Sequence, residues 1–217
     1  MEKSKSDLEK LSNTFSELFP KLTHQEQHIA LKLYRLLSEG SPVSSEALSK
    51  AIGLSEEAVK TTLKEWYGVY YDECGEVIGF WGLAVPEMNH RFMIDGKTLY
   101  TWCAWDSLFI PELIQKTAQI ESICPVSGNK ICLTVSPIQI EKFEPTGAVM
   151  SLLIPEAAKI RQNVIMNFCH YVHFFYSSDL GHEWISQNER TFLLSIHDAF
   201  SLGHMKNKGR FNKVIKK

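Results

Sequence analysis

The chain has 217 residues, of which 44% are hydrophobic and 22% charged, a composition typical of soluble globular proteins. Its 23 basic and 25 acidic side chains give a net charge of −2, whereas dedicated nucleic-acid-binding domains are usually basic. No apolar run approaches the ~20 residues of a membrane span, and no apolar secretory core follows the charged N-terminus. We therefore expect a cytoplasmic protein with five free cysteines and with neither membrane nor nucleic acid as a partner.

Residues 1–82 are predicted to form an N-terminal helical, winged-helix-like module. Apolar positions at helical spacing indicate a first helix over residues 6–19, which Pro20 ends. Thr23 and Glu26 then form a capping box at the start of a second helix with its own apolar face.

Residues 42–64 have the pattern of a helix-turn-helix, in which two short helices meet at Gly53. Strand-like segments on either side of residues 72–75 follow, as in the hairpin of a winged helix. DNA recognition is one interpretation. However, the would-be recognition helix starts with Glu56 and Glu57, whose carboxylates oppose phosphate. We favour a module that packs against or covers the rest of the chain.

Residues 83–217 are predicted to form the second unit, a mixed α/β catalytic domain of short strands in antiparallel hairpins and helices. The whole chain is therefore expected to be α+β. The predicted strands are 91–94, 98–100, 119–124, 131–135, 148–154 and 193–196; Pro155 is expected to open a short helix over 156–162, and a helix starts near Ser177 or Ser178. The basic tail, residues 206–217, is expected to be solvated.

The run LYTWCAWDSLFIP, residues 99–111, holds one thiol, Cys103, and one carboxylate, Asp106, among apolar and aromatic side chains. We expect a helix from Trp102 to about Lys116 with a break or kink at Pro111. A spacing of three places both side chains on one helix face, about 5–6 Å apart at Cβ. Such a pair can exchange a proton while the thiol takes a soft metal. The alternative is an inert buried cysteine beside a helix-end carboxylate.

A second informative stretch is NFCHYVHFFY, residues 167–176. Its aromatic and β-branched content favours a strand, in which Cys169 and His173 share one face and His170 lies on the other. A cysteine beside two histidines suggests metal ligation, but we favour a structural role for both imidazoles. Cys124 and Cys132 can in principle share a metal, although a structural zinc site needs four ligands, so packing is the favoured role.

Four motifs now occur in order along the chain: LYTWCAWD (99–106), LTVSP (133–137), NFCHYVHFF (167–175) and SIHDAF (195–200). Together they closely resemble the bacterial alkylmercury (organomercurial) lyases, the MerB family. The resemblance spans nearly the whole chain, including a winged-helix-like part ahead of the catalytic part. A single Trp-Cys-x-x-Asp motif would be weak evidence for this resemblance, but four motifs in register are strong evidence.

The resemblance implies protonolysis of the carbon–mercury bond of organomercurials, giving a hydrocarbon and Hg(II), in bacterial mercury resistance. Matched motif by motif, Cys103 and Cys169 would be the thiols that hold mercury as substrate and product, and Asp106 would carry the proton. No resident cofactor is implied. Low-molecular-weight thiols would release the product, and a mercuric reductase would accept Hg(II). Cys124 matches a structural family cysteine, whereas His170 replaces a second cysteine that some members carry.

Two other function classes fit parts of the sequence. A thiol-based mercury- or metal-sensing winged-helix regulator would read DNA with residues 42–82, but it does not explain Asp106. A thiol-dependent hydrolase with Cys103 as nucleophile would need a base such as His173 or His197 beside it.

Overall fold

The computed structural model describes residues 3–18, 21–154 and 156–214, so the predicted roles of Pro20 and Pro155 lie outside the described residues. In these ranges the helices are α1 (Lys5–Leu18), α2 (His24–Leu37), α3 (Ser45–Ile52), α4 (Glu56–Glu65), α5 (Ala104–Ile114), α6 (Ala157–Gln162), α7 (Val164–Asn167), α8 (Ser178–Ser186) and α9 (Ile196–Arg210). The strands are β1 (Val69–Tyr71), β2 (Val77–Phe80), β3 (Leu83–Ala84), β4 (His90–Ile94), β5 (Lys97–Thr101), β6 (Ala118–Ile123), β7 (Lys130–Val135), β8 (Ile140–Glu144), β9 (Val149–Leu153), β10 (Phe174–Phe175) and β11 (Thr191–Ser195). The fold is α+β, as predicted.

The N-terminal helices follow the predicted caps. The hydroxyl of Thr23 accepts a hydrogen bond from the Glu26 N–H, and the Glu26 carboxylate accepts one from the Thr23 N–H, which completes the capping box of α2. Gly53 ends α3 in the left-handed conformation, with φ of +72°. The helix pair α3–α4 and the hairpin β1–β2 are therefore present, while the likeness to a winged helix stays a prediction.

The larger sheet has eight strands in the order β1-β2-β3-β5-β4-β6-β7-β8, all neighbours being antiparallel. The predicted turn at Asp95 and Gly96 joins β4 to β5, and both residues have positive φ, as a two-residue hairpin turn requires. Strands from both sides of the predicted boundary at residue 82 pair in this one sheet. The division into units 1–82 and 83–217 remains a prediction.

Helix α5 lies at the centre of the molecule, and every one of its residues is buried. A helix that is buried on all sides needs neighbours all round, and α9 packs along it closely. A Cβ added to Gly203 of α9 would lie 2.8 Å from the Cβ of Phe109 in α5. The helix predicted from Trp102 to about Lys116 runs from Ala104 to Ile114 and continues through Pro111, so it has no break there. The alternative of a kink at the proline stays a prediction.

The smaller sheet has the order β10-β9-β11 and is antiparallel.

All five cysteines are free thiols, as predicted. Within the described ranges, no helix is both long and apolar enough to cross a membrane.

Candidate active site

The start of α5 fixes Cys103 and Asp106 relative to each other. Cys103 is the N-cap residue, in extended conformation directly after β5, and Asp106 is the third helical residue. The Cys103 N–H donates a 3.0 Å hydrogen bond to Oδ2 of Asp106. A carboxylate in the first turn also interacts favourably with the positive end of the helix dipole. The three-residue spacing predicted to bring the two side chains together does so, and this hydrogen bond fixes their relative position.

Cys169 comes from a different part of the chain, a single 3-10 turn over Cys169–Tyr171 that follows α7. The predicted strand over residues 167–176 is wrong, since only Phe174–Phe175 is extended and paired. Two hydrogen bonds hold this turn. The Ala104 N–H at the start of α5 donates to the Val172 carbonyl over 3.1 Å, and the Ser151 hydroxyl on β9 donates to the Tyr171 carbonyl over 2.8 Å.

The turn and the start of α5 bring all three predicted site residues together. A sulfur atom from each of Cys103 and Cys169 and a carboxylate oxygen of Asp106 lie within 4.8 Å of one another. All three residues are buried, with exposures of 0%, 4% and 7% for Cys103, Cys169 and Asp106. Two sulfur donors beside one oxygen donor suit a soft metal ion.

Burial dominates the titration of this cluster. It raises the pKa of Asp106 from 3.8 to about 6, although hydrogen bonds from Cys103 and the positive charge of Lys206 act in the opposite direction. Burial also raises the pKa of Cys103 well above its ordinary value, and its hydrogen bond to Cys169 raises it further. The pKa of the Cys169 thiol is raised by burial as well. At neutral pH the site therefore holds two thiols and a carboxylate near its own pKa.

Gly82, which the sequence analysis did not identify, lies against the carboxyl group. It has φ of +106°, and a Cβ at this position would lie 2.5 Å from Oδ1 of Asp106. Its carbonyl accepts a hydrogen bond from the Trp102 N–H over 2.9 Å, which ties the segment before β3 to the start of the site.

Aromatic side chains surround the cluster. The adjoining cavity of about 30 Å³ has room for about one or two water molecules and is lined by Asp106, Cys169 and the rings of Tyr67, Trp81, Trp102, Trp105, Phe109 and Phe168. Phe15 of α1 packs against Trp105 and Phe168, with ring centroids 5.1 and 6.0 Å apart. The N-terminal helix therefore contacts the wall of this cavity.

Lys206 is a second residue that the sequence analysis missed, because the tail from residue 206 was expected to be solvated. That expectation is wrong: α9 extends to Arg210, and Lys206 is only 6% exposed. Its Nζ lies 3.3 Å from the centroid of the Phe109 ring. Burial lowers the pKa of Lys206 to about 7, with a further decrease from the charge of Arg210 and an opposing effect of Asp106.

The remaining residues with metal-ligand side chains have other contacts. Nε2 of His173 lies 2.7 Å from the His170 carbonyl, and its ring packs against Trp184 at 5.3 Å. His197 packs against the Phe143 ring at 5.6 Å. These contacts are typical of structural histidines and give no support to either ring as a base for Cys103.

Cys124 and Cys132 lie on the hairpin of β6 and β7. Cys124 is buried in the connecting turn, where its carbonyl accepts a hydrogen bond from the Gly128 N–H over 2.9 Å. Cys132 is half-buried on β7, opposite Glu121 of β6. The three-residue cluster that can hold a metal in the described part of the chain contains neither of them.

The family model for MerB, alkylmercury lyase, matches residues 83–206. An alkylmercury lyase from Pseudomonas putida is 40% identical over 196 residues, which cover 89% of this chain and 91% of the relative. An alkylmercury lyase from Staphylococcus epidermidis is 40% identical over 172 residues, which cover 79% of this chain and 77% of the relative.

A solved structure, the mercury-bound form of MerB2, matches the fold with a TM-score of 0.74 at 20% sequence identity, over 94% of this chain and 99% of that one. Both sequence relatives are named as lyases and not as regulators. The family model and these relatives agree with the resemblance seen in the four motifs: the chain belongs to the alkylmercury lyase family.

Proposed function

We propose that this chain cleaves the carbon–mercury bond of organomercurials by protonolysis, releasing a hydrocarbon and leaving Hg(II) on Cys103 and Cys169. The observation that carries the proposal is the cluster of two sulfurs and one carboxylate oxygen within 4.8 Å in a buried, aromatic site. Thiolates bind soft metal ions more strongly than nitrogen or oxygen donors do, and the carboxyl group supplies a proton carrier beside them.

The first step exchanges one thiolate for another. In a reducing cell, an organomercurial cation is carried as a complex with a low-molecular-weight thiol. One site cysteine forms a sulfur–mercury bond, the bond between mercury and the carrier sulfur breaks, and the cysteine proton leaves with the carrier as its free thiol. Charge and protons balance, and the mercurial is held by one protein sulfur.

The second step breaks the carbon–mercury bond. The other site cysteine gives its proton to Asp106 and joins mercury as a second thiolate, which raises electron density on the carbon. Protonated Asp106 then delivers that proton to the carbon, the carbon–mercury electron pair forms the new carbon–hydrogen bond, and the hydrocarbon leaves. Mercury remains on both sulfurs, and Asp106 is again ionised.

The electrostatics of Asp106 support this proton-carrying role. A general acid or base works best when its pKa lies close to the working pH. Burial raises the pKa of Asp106 to about 6, so the carboxyl group can both accept a thiol proton and release it again near neutrality. A solvated carboxyl group, with a pKa of about 4, would be almost entirely ionised at neutral pH and would hold a thiol proton only rarely.

Release of the product needs acceptors other than water, because Hg(II) on two thiolates is strongly bound. We propose that low-molecular-weight thiols remove it and that a mercuric reductase is its final acceptor, in the reducing cytoplasm of a bacterium. These two steps use no resident cofactor. Residues 1–82 are proposed to act as a cover for the catalytic unit and not as a DNA reader, which is supported by the contact of Phe15 with Trp105.

The proposal is tested by incubating the protein with methylmercury and excess thiol and measuring methane in the headspace. We expect wild-type protein to release methane catalytically and Cys169→Ser protein to release none while remaining folded. Cys132→Ser is the matched control, since this thiol lies on β7 outside the cluster, and it should retain activity. Full turnover by the Cys169→Ser variant would remove Cys169 from the mechanism.

A further inference from the structure

A second, larger pocket lies next to the active-site cavity, between α1, the start of α2 and the end of α9. Its volume is about 330 Å³, and four basic side chains line it, Lys21, Lys206, Arg210 and Lys213. We call it the basic pocket. None of the described residues that line it has a carboxylate, although the chain as a whole has a net charge of −2. Positive charge is thus concentrated beside the site, which favours an anionic ligand.

The basic pocket and the active-site cavity adjoin each other. Lys206 and Arg210 line both spaces. Aromatic rings hold the two cations in place, since Nζ of Lys206 lies 3.3 Å from the Phe109 ring centroid and Cζ of Arg210 lies 3.8 Å from that of Trp81. Burial lowers the pKa of Arg210 only to about 10, so it stays charged at neutral pH.

Hydrogen bonds give the outer wall of the basic pocket a defined shape. Gln27, which is 3% exposed, is one of the residues that line it. Its Nε2 donates to the Leu22 carbonyl over 3.3 Å and to the Asn212 side chain over 3.4 Å. Its Oε1 accepts a 3.1 Å hydrogen bond from the Lys213 N–H. The backbone that carries Lys213 is therefore fixed against the start of α2.

The sizes of the two spaces suggest that each binds a different part of the same ligand. The cavity beside the thiols has about 30 Å³, whereas the basic pocket has about 330 Å³. A mercurial bound to a carrier thiol has two ends, the organic group and the carrier. The small aromatic cavity suits a small apolar group such as the methyl of methylmercury, so the larger, charged space is left for the carrier.

We propose that the basic pocket binds the carboxylate of the low-molecular-weight thiol that carries the mercurial to the site. This inference rests on the proposed function. While the carboxylate is held by the basic side chains of this pocket, the carrier sulfur faces the site cysteines, and one of them displaces it from mercury. The cysteine proton passes to the departing carrier sulfur, which leaves through the same pocket as a free thiol.

The test compares methylmercury complexes of two carriers of similar size, 3-mercaptopropionate, which is anionic, and 2-mercaptoethanol, which is neutral. The test variant is the double variant Lys21→Gln, Lys213→Gln. Its control, Lys10→Gln, Lys208→Gln, changes two exposed lysines of α1 and α9 that do not line the pocket and lowers the net charge equally. The readout is the rate of mercurial transfer to the protein, followed by quenching of tryptophan fluorescence.

We expect transfer from the anionic carrier to be about threefold to tenfold slower in the test variant, as for two partly screened charge pairs. Transfer from the neutral carrier should change less than twofold, and the control variant should behave as wild type with both carriers. High salt should reduce the difference between test variant and wild type.

Two results would overturn the proposal. One is an equal effect of the test and control variants, which would reflect the overall charge of the protein. The other is an effect that depends on a carboxylate of the organic group and not of the carrier. In that case the test variant would load 4-carboxyphenylmercury, but not phenylmercury, more slowly than wild type from the neutral carrier 2-mercaptoethanol. The readout is transfer of the mercurial and not release of methane, so the two proposals can fail separately. A protein that loads mercurial without releasing methane would contradict the proposed function, and its transfer rates would still test the role of the basic pocket.

Discussion

Gly82 and Asp106 are in such close contact that a Cβ on the glycine would lie 2.4 Å from the carboxyl carbon of the aspartate. Real side-chain contacts do not come so near, so any other residue at position 82 must displace the carboxyl group. The glycine also has φ of +106°, which L-residues rarely adopt. The position of the proton carrier therefore depends on a residue that has no side chain.

Gly82→Ala is expected to lower the rate of carbon–mercury cleavage by about a hundredfold, because a displacement near 1 Å can cost that much in a positioned catalytic group. The rate is measured as methane release at saturating methylmercury. The matched control is Gly96→Ala. Gly96 also has positive φ, +75°, but nothing lies within 4 Å of an added Cβ, so this variant should lose stability and keep its activity. Wild-type turnover by Gly82→Ala would contradict the role given to this contact.

Asp106→Asn is expected to separate mercury binding from cleavage. Its amide oxygen can still accept the hydrogen bond from the Cys103 N–H, but the amide cannot carry a proton between sulfur and carbon. Cleavage should fall about 10²- to 10⁴-fold, the usual contribution of general acid–base catalysis. Mercury retained per chain after gel filtration should match wild type. Equal cleavage rates at saturating substrate would remove the carboxyl group from the mechanism.

The same substitution should stabilise the fold in a pH-dependent way. The pKa of Asp106 is about 6 in the fold against 3.8 in solvent, so the folded state holds this proton more tightly than the unfolded state does. Ionisation of the buried carboxyl group therefore lowers the free energy of unfolding as pH rises from about 4 through about 6. Urea unfolding should show Asp106→Asn more stable than wild type by about 1–3 kcal/mol at pH 7.5. The two proteins should converge as pH falls toward 4, and a variant less stable at both pH values would contradict this reasoning.

Lys206→Met is expected to shift the pH dependence of cleavage. The positive charge of Lys206 lowers the pKa of Asp106, so its removal should raise that pKa and move the acid limb of kcat/KM to higher pH. The rate should fall about threefold or more at pH 6 and change little at pH 8.5. Methionine keeps an apolar chain against Phe109. Lys208→Met, an exposed neighbour on α9, is the control, and identical profiles for the two variants would exclude an effect of the Lys206 charge.

Local patterns in the sequence were sufficient to identify two of the three residues of the candidate site. Cys103 and Asp106 lie within one turn, so their spacing alone places them together once the helix forms. The turn at Asp95 and Gly96 likewise predicts its hairpin, because both positions require positive φ. Cys169 was identified from the family motifs, and the structure places its thiol beside Cys103, while its catalytic role stays a prediction.

Tertiary contacts decided what local patterns could not. Aromatic and β-branched residues around Cys169 favour a strand, but hydrogen bonds from Ala104 and Ser151 hold this segment as a 3-10 turn. Gly82 gives no local signal, because the side chain it accommodates is 24 residues away in the sequence.

The burial of Lys206, by contrast, was predictable from the sequence. Lys206 falls at helical spacing with Ala199 and Leu202, on the buried side of α9.

The most direct test of the central claim is a single turnover in D₂O, with protein in excess over methylmercury and no added thiol. Both thiol protons exchange with solvent, so protonolysis predicts one CH₃D for each methylmercury supplied, with the mercury retained by the protein. Methane is identified by mass spectrometry, and mercury is counted after gel filtration. Mercury held without methane, or methane that contains no deuterium, would contradict cleavage by proton transfer from the Cys103, Asp106 and Cys169 site.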